Sequence, residues 1–244
     1  MQARALVVLP TYNEAENVLR LTRAILAIDA AIDVMVVDDA SPDGTGDLVE
    51  RERASEPRLS LLRRSGKLGL GTAYLAGFRA GLERGYGRVL TMDCDGSHHP
   101  RYIPALFAAL TDHEMVIGSR YVPGGRIENW PRHRRLLSAF ANRYARVLLR
   151  LPVRDCTSGF RIYTREVLET ADPFAIRASG YAFLEEMVWR VARCGFRIGE
   201  VPIVFEQRTL GVSKIDSSEI YRAAWRVLVL ACRRPPASRA RRAA

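Results

Sequence analysis

The sequence predicts an α/β fold, a mostly parallel sheet covered by helices on both faces. Two observations predict it. Short apolar runs alternate with longer amphipathic stretches, and each run is apolar throughout, as in strands buried on both faces. The polar motifs then gather just past those runs: Tyr12 and Glu14, Asp38 and Asp39, Lys67, Asp93 and Asp95, and Arg120. Ligands of parallel sheets bind beyond the carboxyl ends of the strands. The second observation therefore also predicts a pocket of nucleotide type.

Residues 4–9 read as a buried strand stopped by Pro10. A loop leads into a helix with Asn13 as N-cap, Glu16 in its first turn, and Val18, Leu21, Ile25 and Ile28 as its apolar stripe. Residues 34–37 form a second strand that runs into Asp38-Asp39-Ala40-Ser41-Pro42-Asp43-Gly44-Thr45, and a helix follows. Residues 59–64 are a third strand, 66–71 a glycine-rich loop and 74–85 a helix. Residues 89–92 are the fourth strand, 100–110 a helix, and 115–117 the fifth strand.

Past Arg120 the alternation stops. A Gly124-Gly125 turn and an Asn129-Trp130-Pro131 loop precede an arginine-rich helix over 136–151, with Phe140, Tyr144, Val147 and Leu148 as its apolar side. A tight turn over 155–160 leads to Arg161-Ile162-Tyr163. A helix over 181–194, a strand over 198–205 and a helix over 220–232 complete the chain. No repeat or linker interrupts it. The predicted organisation is a catalytic domain over 1–215 and a C-terminal amphipathic helix with a basic tail over 216–244.

Composition narrows the classes. Hydrophobic residues make up 48% and charged residues 26%, as in soluble globular proteins. Residues 5–9 are too short for a signal peptide and meet Pro10, and no apolar run reaches the ~18–20 residues of a membrane span. Cys94, Cys156, Cys194 and Cys232 are scattered without zinc or disulfide spacing, which predicts reduced thiols and a cytoplasmic setting. The net charge of +10 is uneven: Glu128 is the one acid among the arginines from 120 to 150, and the tail from 233 has five arginines and no acid. Such clusters suit nucleic acid, an anionic membrane surface or a phosphorylated substrate.

The most specific stretch is Val89-Leu90-Thr91-Met92-Asp93-Cys94-Asp95-Gly96. Residues i and i+2 of an extended segment share a side, so both carboxylates face one volume while Gly96 lets the chain turn away. Carboxylates that close repel unless a cation joins them, and magnesium or manganese suits an oxygen site that also meets phosphates. A strand end with an Asp-Gly turn is the plainer alternative. Residues 69–74 lack the third glycine of a dinucleotide fingerprint, and no GxxxxGK[ST] loop occurs.

Taken together, PTYNE at 10–14, VVDDASPDGT at 36–45, MDCDGSHHP at 92–100, GSRYVPGG at 118–125, ENWP at 128–131, TSGF at 157–160 and Arg208 with Ser213-Lys214 resemble the polyprenol (dolichol) monophosphate mannose synthases. These are inverting glycosyltransferases of the GT-A fold, and the resemblance spans about residues 4–215. It implies GDP-mannose as donor, a polyprenyl phosphate as acceptor and Mg2+ or Mn2+ as cofactor. Pro10, Tyr12, Glu14, Asp38 or Asp39, Lys67 and Cys94 match nucleotide-binding positions, and Asp93 and Asp95 the metal-binding DxD. Ser97 stands where many members have a glutamine as a further metal ligand, so a hydroxyl or a water would take that place. His98 and His99 read as surface or supporting residues, because these ions prefer oxygen. Arg120, Arg134, Ser138, Arg208, Ser213 and Lys214 match the acceptor-phosphate cradle, with Asp95, Arg120 and Arg208 as the catalytic set.

The resemblance further implies action at the cytosolic leaflet as a peripheral protein, with a separate membrane-anchoring partner in some relatives. The helices over 136–151 and 220–232 then read either as interfacial helices or as helices packed on the domain. Competing readings are a sister hexosyltransferase using a UDP-sugar, and a basic membrane- or nucleic-acid-binding module. The acidic strand ends argue against nucleic acid.

Overall fold

The computed structural model describes residues 4–178, 180–206 and 217–233. Seven strands form one sheet: β1 (Ala5–Thr11), β2 (Ile32–Asp38), β3 (Leu59–Arg63), β4 (Arg88–Thr91), β5 (Met115–Ser119), β7 (Arg161–Thr164) and β8 (Ile198–Pro202). Their order is β3-β2-β1-β4-β7-β5-β8. Every pairing is parallel except those of β7, which runs antiparallel between β4 and β5. Two further short strands, β6 (Arg126–Ile127) and β9 (Val204–Phe205), pair with each other beside the main sheet.

Both faces are covered, as uniformly apolar strands require. On one face α1 (Val18–Leu26), α2 (Thr45–Glu52) and α4 (Ile103–Ala109) pack around Val7, Leu9, Val34, Val36 and Leu90. On the other, α3 (Leu70–Glu83), α6 (Arg165–Ala171) and α7 (Gly180–Arg193) cover Leu6, Val8, Met35 and Val89, joined by Ala145 of α5 (Arg132–Leu149) and Val227 of α8 (Ser217–Ala231). The chain leaves β1 towards β2 on one side and returns to β4 on the other. The crevice past the carboxyl ends of β1 and β4 is thus the point where connections diverge and ligands of such sheets bind.

Several expectations are corrected. β1 continues through Pro10 to Thr11 in register with β2. β4 pairs only with Ala5–Val8, so beyond Val8 the proline faces no partner there that would need its missing N–H. Asn13 is not an N-cap: its φ is 60°, its N–H donates to the Ser41 hydroxyl, and α1 begins only at Val18. The expected strand over 198–205 breaks at Ile203, whose N–H still bonds Ser119 before Val204 pairs with Arg126. β7 enters the sheet where the sequence shows only four residues after a turn. In α5 the buried residues are Asn142, Ala145 and Leu149, whereas Phe140 (67% exposed) and Val147 (63%) face outward.

Candidate active site

The first part of the candidate site is built from the loops after β1, β2 and β3. Asp38 is 1% exposed, and its carboxylate accepts from the Thr11 hydroxyl (3.0 Å) and from the Ser41 N–H (3.1 Å). These bonds shape the loop that follows β2. Asp39 holds the neighbouring loop: it pairs with Arg64 and accepts from the Leu68 N–H (3.1 Å). Arg64 in turn reaches Thr72 and the Gly69 carbonyl, so the glycine-rich loop is tied to the end of β2. That closure brings the Lys67 ammonium to 5.0 Å from the centre of the Tyr12 ring. Pro10, Tyr12 and Glu14 follow one another there at partial exposure.

The carboxylate pair lies past β4. Asp93 is partly exposed and accepts from the Tyr74 hydroxyl (3.2 Å). Burial, and next the Asp93 charge, push the Tyr74 phenol well above its ordinary value, so it stays a donor. Asp95 is 7% exposed and accepts from the Ser97 N–H (3.0 Å), and Gly96 turns the chain at φ 81°. Cys94 between them is buried in the apolar cluster with Val18 and Ile103, its thiol raised well above the ordinary range chiefly by burial. Its side chain is therefore part of the core. Gly159 closes the wall behind: a Cβ there would lie 2.8 Å from the Tyr74 oxygen and 3.1 Å from an Asp93 oxygen.

Neither histidine needs a metal to explain it. His99 accepts from the Arg101 N–H and caps the short 3-10 turn over Pro100–Tyr102. His98 is 2% exposed and accepts the Asp93 N–H on Nδ1 (3.1 Å). Among the described residues no group of three or more His, Cys, Asp or Glu side chains gathers as a metal site. What this chain presents is two carboxylates on one strand end. That all-oxygen pair fits Mg2+ or Mn2+, ions that commonly take one or two protein carboxylates and complete their shell with phosphate and water.

The cationic side lies past β5. Arg120 is 6% exposed and grips buried Asp155 through Nε and an Nη (both 2.7 Å), while its backbone N–H bonds the same carboxylate (3.0 Å). Burial raises the Asp155 carboxyl, but the Arg120 charge and hydrogen bonds outweigh it and leave it below its ordinary value. The guanidinium also donates to Thr157, which Asn142 of α5 holds at 3.1 Å. Arg120 is thus a fixed, charge-matched group. Its ring neighbour is Phe205, 5.3 Å from the guanidinium carbon, and His98 packs on the same ring at 5.3 Å. Trp130 meets Phe205 edge-on and carries Arg134 over its face at 3.9 Å. Ser138 accepts from the Tyr121 hydroxyl (2.8 Å).

One aromatic wall therefore joins the carboxylate loop to Arg120 and Arg134. Arg208, Ser213 and Lys214 lie outside the described residues. The sequence reading missed Asp155, Asn142, Tyr74 and Phe205. The first stands two residues before the TSGF motif, but no spacing rule announces its partnership with Arg120.

The glycosyl transferase family 2 model matches residues 6–171, a span that holds the loops after β1, β2 and β3, the carboxylate pair and Arg120. The chain belongs to glycosyl transferase family 2. It is 46% identical over 92% of its length to the polyprenol monophosphomannose synthase of Mycolicibacterium smegmatis, covering 85% of that protein. It is 48% identical over 87% of its length to the undecaprenyl-phosphate mannosyltransferase of Micrococcus luteus, covering 88% of it. Among solved structures, the Pyrobaculum calidifontis mannosyltransferase PcManGT with GDP-Man and Mn2+ superposes at a TM-score of 0.60 with 21% identity, over 86% of this chain and 58% of that one. Glucosyl-3-phosphoglycerate synthase from Mycobacterium tuberculosis, with Mn2+ and UDP, gives 0.66 with 19% identity over 97% and 81%. These likenesses identify the fold as GT-A.

Proposed function

We propose that this chain transfers mannose from GDP-mannose to a polyprenyl phosphate at a membrane surface, inverting the anomeric carbon. The observation that carries the reading is the near full-length identity to two enzymes whose names specify mannose and a polyprenyl acceptor. Tyr12, Glu14, Asp39 and Lys67 hold the nucleotide, and Asp93 and Asp95 the divalent ion, with Ser97 or water beside them. When bound, that ion supplies Lewis-acid stabilisation of the charge that builds on the departing diphosphate.

The acceptor needs no dedicated base. A phosphate monoester has its second pKa near about 6 and is already an anionic nucleophile at neutral pH. Its oxygen forms the new bond to the anomeric carbon as the bond to GDP breaks from the opposite face. The difficulty is electrostatic, since one anion must approach another. Arginine meets it because its planar donors grip phosphate in pairs. Asp155 and Thr157 hold the Arg120 guanidinium in one plane before any ligand arrives. Arg134, Ser138, Arg208, Ser213 and Lys214 complete the cradle in this reading.

The outer face of α5 supports a lipid-side role. Leu136, Phe140 and Val147 are exposed along one strip, with Arg135, Arg143 and Arg146 exposed beside it. Trp225 of α8, which packs against α5, is 68% exposed. Such a surface suits an anionic leaflet, apolar groups at the acyl boundary and arginines at the headgroups. No helix among the described residues is long and apolar enough to cross a membrane. The four free cysteines fit the cytosolic leaflet.

Thermal shift with GDP, UDP and ADP, each with and without Mn2+, tests the donor assignment. Stabilisation by GDP that requires Mn2+ and disappears in Asp95→Ala is expected. Stabilisation by UDP alone replaces mannose with another hexose. Transfer of labelled mannose to a polyprenyl phosphate in micelles then tests the acceptor.

A further inference from the structure

His98 sits where the carboxylate loop meets the aromatic wall, and its surroundings do not explain an imidazole by packing alone. The ring is 2% exposed, stacks on Phe160 at 5.1 Å and 25°, and meets Phe205 edge-on at 5.3 Å and 74°. A phenylalanine would satisfy those contacts. The imidazole moreover leaves Nε2 buried with no hydrogen-bond partner among the described residues. An orphaned buried donor costs stability, on the order of 1–3 kcal/mol. What the imidazole adds is Nδ1, which accepts the Asp93 N–H at 3.1 Å and so holds the proton on Nε2.

We propose that His98 is the positioning residue of the carboxylate pair: Nδ1 pins the Asp93 backbone, and the ring keys that loop to the Phe205 wall that Arg120 shares. The inference rests on the reading of Asp93 and Asp95 as metal ligands. The bond from Asp93 to His98 closes a five-residue step around Gly96, while the Ser97 N–H to Asp95 bond (3.0 Å) closes the turn inside it. The Tyr74 hydroxyl bonds the Asp93 carboxylate, and Gly159 leaves room beside both. With both ends of the step tied, the backbone that carries the two carboxylates is held without an ion. That lowers the ordering cost when an ion and diphosphate arrive. His98 is no direct ligand in this arrangement, because its Nδ1 lone pair is already committed to the backbone.

Three substitutions separate the acceptor from the ring. His98→Phe keeps the ring and loses the acceptor; His98→Leu also loses the acceptor and guards against a misfit of the larger ring. His98→Asn keeps an acceptor oxygen at the Nδ1 position and loses the ring. Mn2+ affinity in the presence of GDP, measured by calorimetry and by the EPR signal of bound Mn2+, is read beside the melting temperature of each full-length chain. The expected result is a loss of roughly 10- to 100-fold in Mn2+ affinity for Phe and Leu, the range for residues that orient metal ligands. Asn should recover most of that affinity even with a lowered melting temperature. Wild-type affinity in His98→Phe or His98→Leu, or an Asn variant as weak as they are, overturns the inference. A wild-type chain that binds GDP without any Mn2+ dependence overturns the metal reading itself, and this inference with it.

Discussion

At the scale of single residues, the site is governed by buried charges that are matched before any ligand binds. Arg120 and Asp155 are 6% and 0% exposed and share three hydrogen bonds. Taking one charge from such a pair leaves the other desolvated and unpaired, a cost of about 3–5 kcal/mol. Asp155→Asn should therefore lower unfolding free energy by that order in a urea titration, and should also raise the acceptor KM more than the donor KM. Gly159 makes a second residue-scale case. A Cβ would press within 3.0 Å of the Tyr74 oxygen, so either Tyr74 or Asp93 must shift. Gly159→Ala is expected to keep the fold while weakening metal-dependent GDP binding, read by calorimetry. Asp38 and Asp39 make a third case, motif residues whose carboxylates are both engaged, one by Thr11 and Ser41 and the other by Arg64 and the Leu68 N–H. The order Asp-Asp was legible in the sequence; which partners each carboxylate takes depends on a neighbouring strand and loop.

At the scale of elements, α5 has two jobs on opposite faces. Inward, Asn142 clamps the turn over 156–157: it accepts the Cys156 N–H at 2.9 Å and holds the Thr157 hydroxyl. Outward, it exposes leucines and Phe140 beside arginines. The apolar residues marked it as amphipathic, but their period could not say which side meets the core, because the buried side is made of small and polar residues. Since Phe140 is 67% exposed, Phe140→Glu should leave the unfolding free energy within about 0.5 kcal/mol of wild type, as surface changes do. It should nonetheless reduce sedimentation with anionic liposomes. Equal sedimentation would move membrane contact elsewhere or to a separate anchoring partner. α8 is fastened to α7 by the Arg226 to buried Glu186 pair (2.9 Å) and to α5 by the Tyr144 hydroxyl on the Ala224 carbonyl (3.2 Å). Helices α5 and α8 and the sheet therefore share one core.

At the scale of the whole molecule, stability and pH are linked through two buried carboxyls of opposite sign. Burial, against a smaller opposing pull from Arg161, pushes Glu185 from an ordinary value of 4.5 up to about 8. A carboxyl raised in this way stabilises the fold below its unfolded pKa, and that stability is lost as pH rises towards about 8. Glu185→Gln should accordingly raise the melting temperature more at pH about 8.5 than at pH about 5, read by two calorimetric scans per protein. Asp155 works the other way: its lowered value contributes stability above the ordinary carboxylate range that is lost as pH falls through the folded pKa. By itself, the sequence determined the alternating sheet, its covered faces and the motifs past the strand ends, because apolar runs and turn chemistry are local properties. Only the tertiary structure decided that β7 enters the sheet reversed, that Asp155 matches Arg120, and that His98 and Phe205 join the two halves of the site. Each of those contacts brings together groups from different elements, and their partnership is set by packing rather than by spacing along the chain.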